Sequence, residues 1–330
     1  MHERSACVSA LGARTEVARA KVNLTLEIKG RRADGYHELE SLVLFADFGD
    51  LVEYRPDCAF SLSVTGPFAA ALDGDNLLER AVRAYAAVSG SDPGGAFHLV
   101  KHIPVAAGLG GGSADAAAAL RILASRGKPV EPAALLTAAA RLGADVPCCF
   151  ASKPAIMTGI GDTLHPLASL TPVPAVLVNP MRPLPTGNVF RELGAGPLAA
   201  PPAAPIIPEF AGPADLVHPS KRRLQPKFGK IDAEQNARAL MREQSECVSA
   251  LAAYAKARGN DLEAPARRLL PVIGDMLTML ADAPGALLSR LSGSGPTCFA
   301  LFADEADAVA AADAVRHEHA DWWVRAVSLS

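Results

Sequence analysis

A glycine-rich loop at residues 103–115 carries the residue types best suited to chemistry, Ile-Pro-Val-Ala-Ala-Gly-Leu-Gly-Gly-Gly-Ser-Ala-Asp. Because glycine lacks Cβ, a ligand can approach this backbone closely, and successive N–H groups can turn toward an anion. The apolar segment 96–103 predicts a strand before the loop. The Ala-rich segment after it predicts a helix that Ser113 or Asp115 caps. A helix N-terminus adds free N–H groups and partial positive charge, so the pattern predicts a nucleotide-phosphate site.

Two other glycine loops do not fit this segment. A Walker loop places Lys and Ser or Thr after its second glycine, and no lysine follows Gly112. A dinucleotide-binding loop needs a third glycine where this chain has Ser113. A simple linker or tight turn remains the alternative interpretation, and the flanking strand and helix weigh against it.

Three further polar positions have spacings that suit a reaction site. Lys21 and Asn23 are two apart in a predicted strand, so they point the same way and can hold a cation and an amide at the floor of a site. Asp145 follows the helix end at Gly143 and precedes Pro147. The alternatives are an exposed strand face for the first pair and a cap or turn for Asp145.

The segment Asp34-Gly-Tyr-His37 combines a turn signal with two rings. A neutral His37 offers one hydrogen-bond donor and one acceptor, and Tyr36 offers a flat face for stacking. Because Asp-Gly is a strong turn signal, an ordinary surface turn is the competing interpretation.

Composition limits the class of protein. The length of 330 residues predicts two domains, and the 50% of hydrophobic residues is enough for a sizeable core. The net charge of −3 does not favour nucleic acid as a partner. No apolar run approaches the roughly 20 residues of a membrane span, and residues 1–19 do not resemble a signal peptide. Six cysteines lack metal-ligand spacing; Cys148 and Cys149 are predicted to be buried thiols of a cytoplasmic protein.

Hydrophobic periodicity then predicts the elements that position these residues. Strands are predicted at 18–28, 42–54 (with a turn at Asp47–Asp50), 96–103, 173–179, 298–302 and 323–328. Helices are predicted at 76–88, from Ser113, at 132–142, 232–258 (capped by Asp232), 264–281 and 306–316. The domain boundary is placed at 155/156, which gives domains of residues 1–155 and 156–330. The Pro- and Ala-rich segment 193–230 predicts a loop-like insertion in the second domain.

The loop, from Pro104 through Gly108 to Ser113, resembles the phosphate motif of the GHMP kinases, named for galactose, homoserine, mevalonate and phosphomevalonate. The segment 20–24, Ala-Lys-Val-Asn-Leu, and the segment 32–37, Arg-Ala-Asp-Gly-Tyr-His, are similar to the opening and cytidine-reading motifs of one branch. Weaker similarities lie at 75–77, 185–190, 260–263 and 292–295. The resemblance covers about residues 18–328, and the segment 191–259 is longer than is usual in the family.

The resemblance implies a two-domain α+β fold with the active site in the interdomain cleft. It also implies ATP-dependent phosphorylation of the 2-hydroxyl of a diphosphocytidyl-methylerythritol in the non-mevalonate route to isoprenoid precursors. The implied catalytic residues are Lys21 and Asp145. The implied ATP-binding residues are Asn76, Leu77, Pro104, Val105, Ala106, Ala107, Gly108, Leu109, Gly110, Gly111, Gly112, Ser113 and Ala114. The implied substrate-binding residues are Asn23, Tyr36, His37, Thr186 and Phe190.

Partners and alternatives follow from the same resemblance. ATP is the expected co-substrate with Mg²⁺, for which the sequence contains no dedicated ligand motif, although Ser113 is one possible contact. The expected partners are small molecules, with no nucleic acid and no membrane, and the protein is a monomer or a homodimer. A mevalonate-type or homoserine-type kinase and a nucleotide-binding regulator without catalysis remain open as alternatives.

Overall fold

The computed structural model of the chain describes residues 13–56, 59–72, 74–167, 170–208 and 230–330, and for residues 230–243 only the backbone is described. The strands are β1 (Arg14–Asn23), β2 (Glu27–Arg31), β3 (His37–Arg55), β4 (Ser61–Thr65), β5 (Ala96–Val100), β6 (Ala155–Gly159), β7 (Thr163–Pro166), β8 (Val173–Asn179), β9 (Ala286–Leu291), β10 (Cys298–Phe302) and β11 (Trp323–Leu329). The helices are α1 (Leu77–Ser89), α2 (Gly111–Arg126), α3 (Pro132–Leu142), α4 (Val146–Ala151), α5 (Thr186–Leu193), α6 (Lys230–Arg258), α7 (Glu263–Leu269), α8 (Val272–Asp282) and α9 (Glu305–Glu318).

One mixed sheet runs through both halves of the molecule in the order β4-β5-β3-β11-β8-β10-β9. The long strand β3 also pairs with β1, β2 and β6, so it organises the first half. It meets β11 of the second half at Ala46 and Leu329, and Phe45 and Ser330 exchange backbone hydrogen bonds there. The α+β fold expected from the sequence is confirmed.

The turn predicted at Asp47–Asp50 is wrong, because β3 continues through it. The pairing of β3 with β1 instead shifts between Arg19 and Lys21, which is a β-bulge. Arg19 donates hydrogen bonds to the carbonyls of Phe45 and Ala46. The carboxylate of Asp50 accepts hydrogen bonds from other segments. The polar residues that suggested a turn therefore make tertiary contacts.

The single strand predicted at 18–28 is divided into β1 and β2. Between them, Leu24 N–H donates to the Leu42 carbonyl, and Leu26 N–H turns away to the carbonyl of Gly259 in the second half. The alternative interpretation of Lys21 and Asn23 as an exposed strand face is wrong, since each residue is only 4% exposed. Buried polar residues of this kind need partners, which the site supplies.

Several helix predictions needed correction. The helix predicted at 264–281 is broken into α7 and α8 at Pro271, whose ring cannot continue the hydrogen-bond ladder. Helix α6 begins at Lys230, so Asp232 lies inside it and is not its cap. Neither Ser113 nor Asp115 caps α2; its N-cap is Gly110, with φ +65° and no side-chain cap. The short helices α4 and α5 were not predicted.

The domain boundary at 155/156 stays a prediction. The boundary falls inside β6, which forms a hairpin with β7 and pairs with β3 of the first half. The predicted insertion at 193–230 begins with the last residue of α5 and ends with the first of α6, and its residues 209–229 lie outside the described part. Within the described residues no helix is long and apolar enough to cross a membrane.

Candidate active site

Lys21 of β1 and Asp145, which directly precedes α4, form an ion pair. Lys21 Nζ lies 3.0 Å from Asp145 Oδ1 and donates to Asn23 Oδ1 at 3.1 Å. The Lys21 side chain is 5% exposed and that of Asp145 36% exposed, so the carboxylate opens toward solvent while the ammonium lies below it. Burial by itself lowers the pKa of Lys21. Asp145 and the neighbouring Cys148 and Cys149 together raise it by more, so the net pKa lies above the ordinary value of lysine. Lys21 therefore keeps its positive charge.

Asn23 is fixed by two serines, Ser41 and Ser292, of which the sequence singled out only Ser292. Its Nδ2 donates to Ser41 Oγ at 2.7 Å, and Ser41 in turn donates to the carbonyl of Thr25. Its backbone N–H donates to Ser292 Oγ at 3.2 Å. The amide oxygen is thereby directed at Lys21 Nζ, and the pair predicted from spacing does share one buried face.

The glycine loop between β5 and α2 lies directly against this pair. Lys21 N–H donates to the carbonyl of Leu109 at 2.9 Å. A Cβ added at Gly110 would lie 3.4 Å from Lys21 Cε. Helix α2 begins at Gly111, so the last five residues of the glycine-rich segment 103–115 form its first turn. The structure thus brings the predicted anion cradle next to the two predicted catalytic residues.

A second glycine loop, residues 292–297, closes on the first from the other half of the chain. Ser292 Oγ donates to the Gly108 carbonyl at 3.1 Å, and Thr297 N–H donates to the Ala107 carbonyl at 3.2 Å. Asn260 holds this second loop by donating to the carbonyls of Leu291 and Gly293. The two loops therefore form one hydrogen-bonded unit that joins the two halves of the sheet.

We expect Gly108→Ala to weaken ATP binding at least tenfold, measured by calorimetry. Gly108 has φ +75°, and an added Cβ would lie 2.6 Å from the Gly295 carbonyl oxygen, so the two loops would have to separate. Gly90→Ala is the matched control, because Gly90 has a similar φ of +62° with nothing within 4 Å of an added Cβ. The control carries the same backbone strain and should bind ATP normally. Equal ATP affinity in both variants would refute the role of the loop contact.

The residues predicted to contact a base lie on two elements that meet. His37 begins β3 and Phe190 lies in α5, and their ring centroids are 4.8 Å apart at an interplanar angle of 30°. Thr186 at the start of α5 is hydrogen-bonded to Ser294 of the second glycine loop at 2.8 Å. Tyr36 lies in the predicted turn and is 61% exposed. Through Thr186, the predicted substrate-binding helix α5 is thereby linked to the second glycine loop.

His37 is neutral, which lets its ring both donate and accept a hydrogen bond. Burial lowers the pKa of its ring from the ordinary value, and the nearby Arg31 lowers it further. The imidazole is therefore neutral at pH 7, with one nitrogen donating and the other accepting.

A strap after α5, residues 196–198, holds the turn that carries Tyr36 and His37. Arg31 N–H donates to the Gly196 carbonyl, and Leu198 N–H donates to the Arg31 carbonyl, each at 2.8 Å. A Cβ at Gly30 would lie 2.7 Å from Leu198 Cα, so only glycine permits this approach. No sequence motif pointed to this contact, which lies in the predicted insertion.

The predicted ATP-binding residues Asn76 and Leu77 lie at the start of α1, and no hydrogen bond joins them to the Lys21–Asp145 pair among the described residues. Asn76 is the N-cap of α1, its side chain accepting from Leu78 N–H, and Leu77 is the first residue of that helix, which packs on α2. Cys148 and Cys149 are buried as predicted, and burial raises the pKa of Cys148 to about 12. The described residues contain no cluster of three His, Cys, Asp or Glu side chains suited to a metal ion.

Sequence reasoning missed several residues that build the site, namely Thr25, Ser41, Asp50, Lys101 and Asn179. Asn179 donates to Thr297 Oγ1 at 2.9 Å at the end of the second glycine loop. Ser41 directly precedes the apolar run 42–46, and a polar residue at the start of a buried strand segment is the one signal that could have identified it. Their roles depend on contacts more than fifteen residues away in sequence, which periodicity does not reveal.

Comparison with known proteins agrees with this arrangement. The model of the GHMP kinases N terminal domain matches residues 76–153, and that of the GHMP kinases C terminal region matches residues 236–321. A 4-diphosphocytidyl-2-C-methyl-D-erythritol kinase of Rhodopseudomonas palustris is 46% identical over 98% of this chain and 99% of its own. One of Rhodospirillum rubrum is 43% identical over 95% of this chain and 92% of its own.

Solved structures extend the likeness to the fold. A crystal structure of a 4-(cytidine 5'-diphospho)-2C-methyl-D-erythritol kinase matches with a TM-score of 0.68 and 32% identity, over 96% of this chain and 99% of that one. A homoserine kinase from Cytophaga hutchinsonii matches with a TM-score of 0.61 over 97% of this chain and 96% of that one. Because the two chains are only 18% identical, this match supports the fold alone. The chain belongs to the GHMP kinases, within the family of the 4-diphosphocytidyl-2-C-methyl-D-erythritol kinases.

Proposed function

We propose that this chain transfers the γ-phosphoryl group of ATP to the 2-hydroxyl of 4-diphosphocytidyl-2-C-methyl-D-erythritol, a step of the non-mevalonate route to isoprenoid precursors. The observation that carries the proposal is the near full-length identity of 43–46% to relatives with that name. The ion pair of Lys21 and Asp145 beside a glycine loop supplies the chemistry that such a transfer needs.

In the proposed reaction, Asp145 accepts the proton of the substrate hydroxyl. As that proton leaves, the hydroxyl oxygen forms a bond to the γ-phosphorus, and the bond from the γ-phosphorus to the bridging oxygen breaks, which releases ADP. The ammonium of Lys21 lowers the pKa of the hydroxyl and stabilises the negative charge that develops. The exposed side of Asp145 leaves room for the hydroxyl, while Asn23 keeps Lys21 in place.

The glycine loop would hold the ATP phosphates. Residues 104–114 would direct backbone N–H groups at the phosphates, and the N-terminus of α2 would add its partial positive charge. Asn76 and Leu77 would lie near the adenine. This assignment rests on the position of the loop against Lys21 and on the family's phosphate motif.

Mg²⁺ fits the proposed site as a companion of ATP. A magnesium ion bound through nucleotide phosphates needs only one or two protein oxygens, and Ser113 in the first turn of α2 offers a partly exposed hydroxyl. When bound, the ion would neutralise charge on the phosphates. The absence of a three-ligand cluster in the described residues is compatible with this arrangement.

Cytosine would be read by the residues of the turn and of α5. Stacked ring centroids lie about 4.5–7 Å apart, so the 4.8 Å between His37 and Phe190 leaves no space for a third ring between them. We therefore assign the base faces to Tyr36 and Phe190, and its hydrogen-bonding edge to the neutral His37, which suits the N3 acceptor and N4 donor of cytosine.

We expect the parent protein to prefer the cytidine substrate over its uridine analogue by roughly 10–100-fold, because each unpaired polar group costs about 1–3 kcal/mol. His37→Ala should reduce that preference and leave ATP affinity nearly unchanged. Phe190→Ala should weaken both substrates equally through lost stacking, by about 1–3 kcal/mol. Competition binding with the two diphosphate alcohols measures this. Equal affinity of the parent for both would reject the cytidine assignment.

Product analysis decides among the alternatives. The protein is incubated with labelled ATP and, separately, with the diphosphocytidyl alcohol, mevalonate and homoserine, and phosphorylated product is identified by mass spectrometry. Product from the first acceptor alone supports the proposal. Product from mevalonate or homoserine would identify another GHMP kinase, and ATP binding without any product would favour a regulator.

A further inference from the structure

Three ionisable side chains are buried together beneath the glycine loop. Lys101 follows β5, Asp50 lies in β3 and Asp115 lies in α2; their exposed fractions are 2%, 0% and 2%. Lys101 Nζ donates to Asp115 Oδ2 at 2.7 Å and also to Asp50 Oδ2. Because burial of charges is costly even when they are paired, hydrophobic residues would serve stability as well or better. The proposed transfer of phosphate uses none of the three side chains directly.

The cluster connects the two ends of the glycine loop. Asp50 Oδ1 accepts from the N–H groups of His102 and Ile103, at 2.5 and 2.8 Å, just before the loop begins. Asp115 is the last residue of the glycine-rich segment 103–115 and lies one turn into α2. The single ammonium of Lys101 joins these two carboxylates, so the start and the end of the loop are held by one group.

The cluster also lies in contact range of the loop itself. A Cβ added at Gly111 would be 3.5 Å from Lys101 Nζ and 3.6 Å from Asp50 Oδ2. Any displacement of Lys101 would therefore reach the residue at which the backbone turns from loop into helix. Since anion binding by a backbone cradle depends on the directions of its N–H groups, small displacements there reduce affinity.

We propose that Asp50, Lys101 and Asp115 form a brace that fixes the two ends of the glycine loop and so sets its geometry for the ATP phosphates. The three residues are positioning residues, since they act through the loop backbone. The inference rests on the proposed function only insofar as the loop binds ATP.

The two oxygens of Asp115 allow a clean test of the brace. Oδ2 accepts from Lys101, whereas Oδ1 is buried and without a hydrogen-bond partner. Asp115→Asn keeps an acceptor oxygen for Lys101 and places the amide nitrogen where Oδ1 made no bond. Asp115→Ala removes the connection from α2 to Lys101. The conservative variant should therefore retain the function of the brace, and the truncation should lose it.

Calorimetry with ATP on the full chain measures the effect, together with KM for each substrate and kcat. We expect Asp115→Ala to weaken ATP at least tenfold and Asp115→Asn to stay within threefold of the parent. For both Asp115 variants, the KM for the cytidine substrate should stay within twofold of the parent value. Arg19→Met is the matched control, because Arg19 is a partly buried cation whose side-chain hydrogen bonds go to Phe45, Ala46 and Ser330 and not to the loop. Its loss lowers stability and leaves ATP affinity as in the parent.

Two results would overturn the brace. One is a folded Asp115→Ala that binds ATP as tightly as the parent; the other is a loss of ATP affinity in Arg19→Met as large as that in Asp115→Ala, which would indicate a general loss of stability. If Asp115→Ala does not fold, Asp115→Ser replaces it with the same expectations. A parent that binds ATP but phosphorylates no acceptor would reject the proposed function and leave the brace to be decided by ATP affinity.

Discussion

Replacing Asp145 with Asn should lower kcat on the order of 10²–10⁴-fold while both substrates still bind. Asn has the shape of Asp and still offers an oxygen to Lys21 Nζ, which lies 3.0 Å from Asp145 Oδ1. It does not accept the proton of the substrate hydroxyl. The loss therefore appears in turnover, whereas the dissociation constants of ATP and of the cytidine substrate should stay within about threefold of the parent values.

The control for this variant is Asp313→Asn, which removes an exposed carboxylate paired with Arg316 on α9. Such exposed pairs contribute little, so turnover and stability should be nearly those of the parent. Single-turnover kinetics separates the chemical step from product release. Near-normal turnover of Asp145→Asn would remove this residue from the proposed mechanism.

Replacing Lys21 with Met should lower kcat by about 10²–10³-fold, comparable to the loss of one preorganised charge-stabilising donor. Met has a similar length and fills the space below Gly110, but it carries no charge. The fold should persist, because the Asp145 side chain is 36% exposed and regains water when its partner is lost. Lys256→Met, at an exposed position of α6, is the control and should be as active as the parent.

A double variant tests whether the pair acts as one unit. Because Lys21 and Asp145 are hydrogen-bonded and serve the same hydroxyl, the loss in the double variant should be much smaller than the product of the two single losses. Multiplicative losses would contradict a shared role. Lys21→Met with parental turnover would exclude the ammonium from the reaction.

The residues of the site could be predicted from the sequence where a local pattern imposes a local shape. The turn at Asp34-Gly35 and the strands β8 and β10 follow from backbone preferences and apolar periodicity, and the structure has them where they were predicted. The glycine loop also lies between a strand and a helix as predicted, but α2 begins within the segment 103–115, at Gly111. The family motifs around Lys21, His37 and Asp145 pointed to the same centre, although their contacts were not visible from the sequence.

The sequence by itself determined the chemical groups and the local turns; the tertiary structure decided which of them meet. Asp47 and Asp50 are residues typical of turns, yet β3 runs through this segment because the N–H groups of Ser328, His102 and Ile103 donate to the two carboxylates. Lys21 and Asn23 alternate like an exposed strand face, yet the second glycine loop and β3 bury them. The brace of Asp50, Lys101 and Asp115 joins three elements up to 65 residues apart. Local propensity reaches only a few residues along the chain, so the desolvation and pairing of such groups are set when the sheet and helices pack.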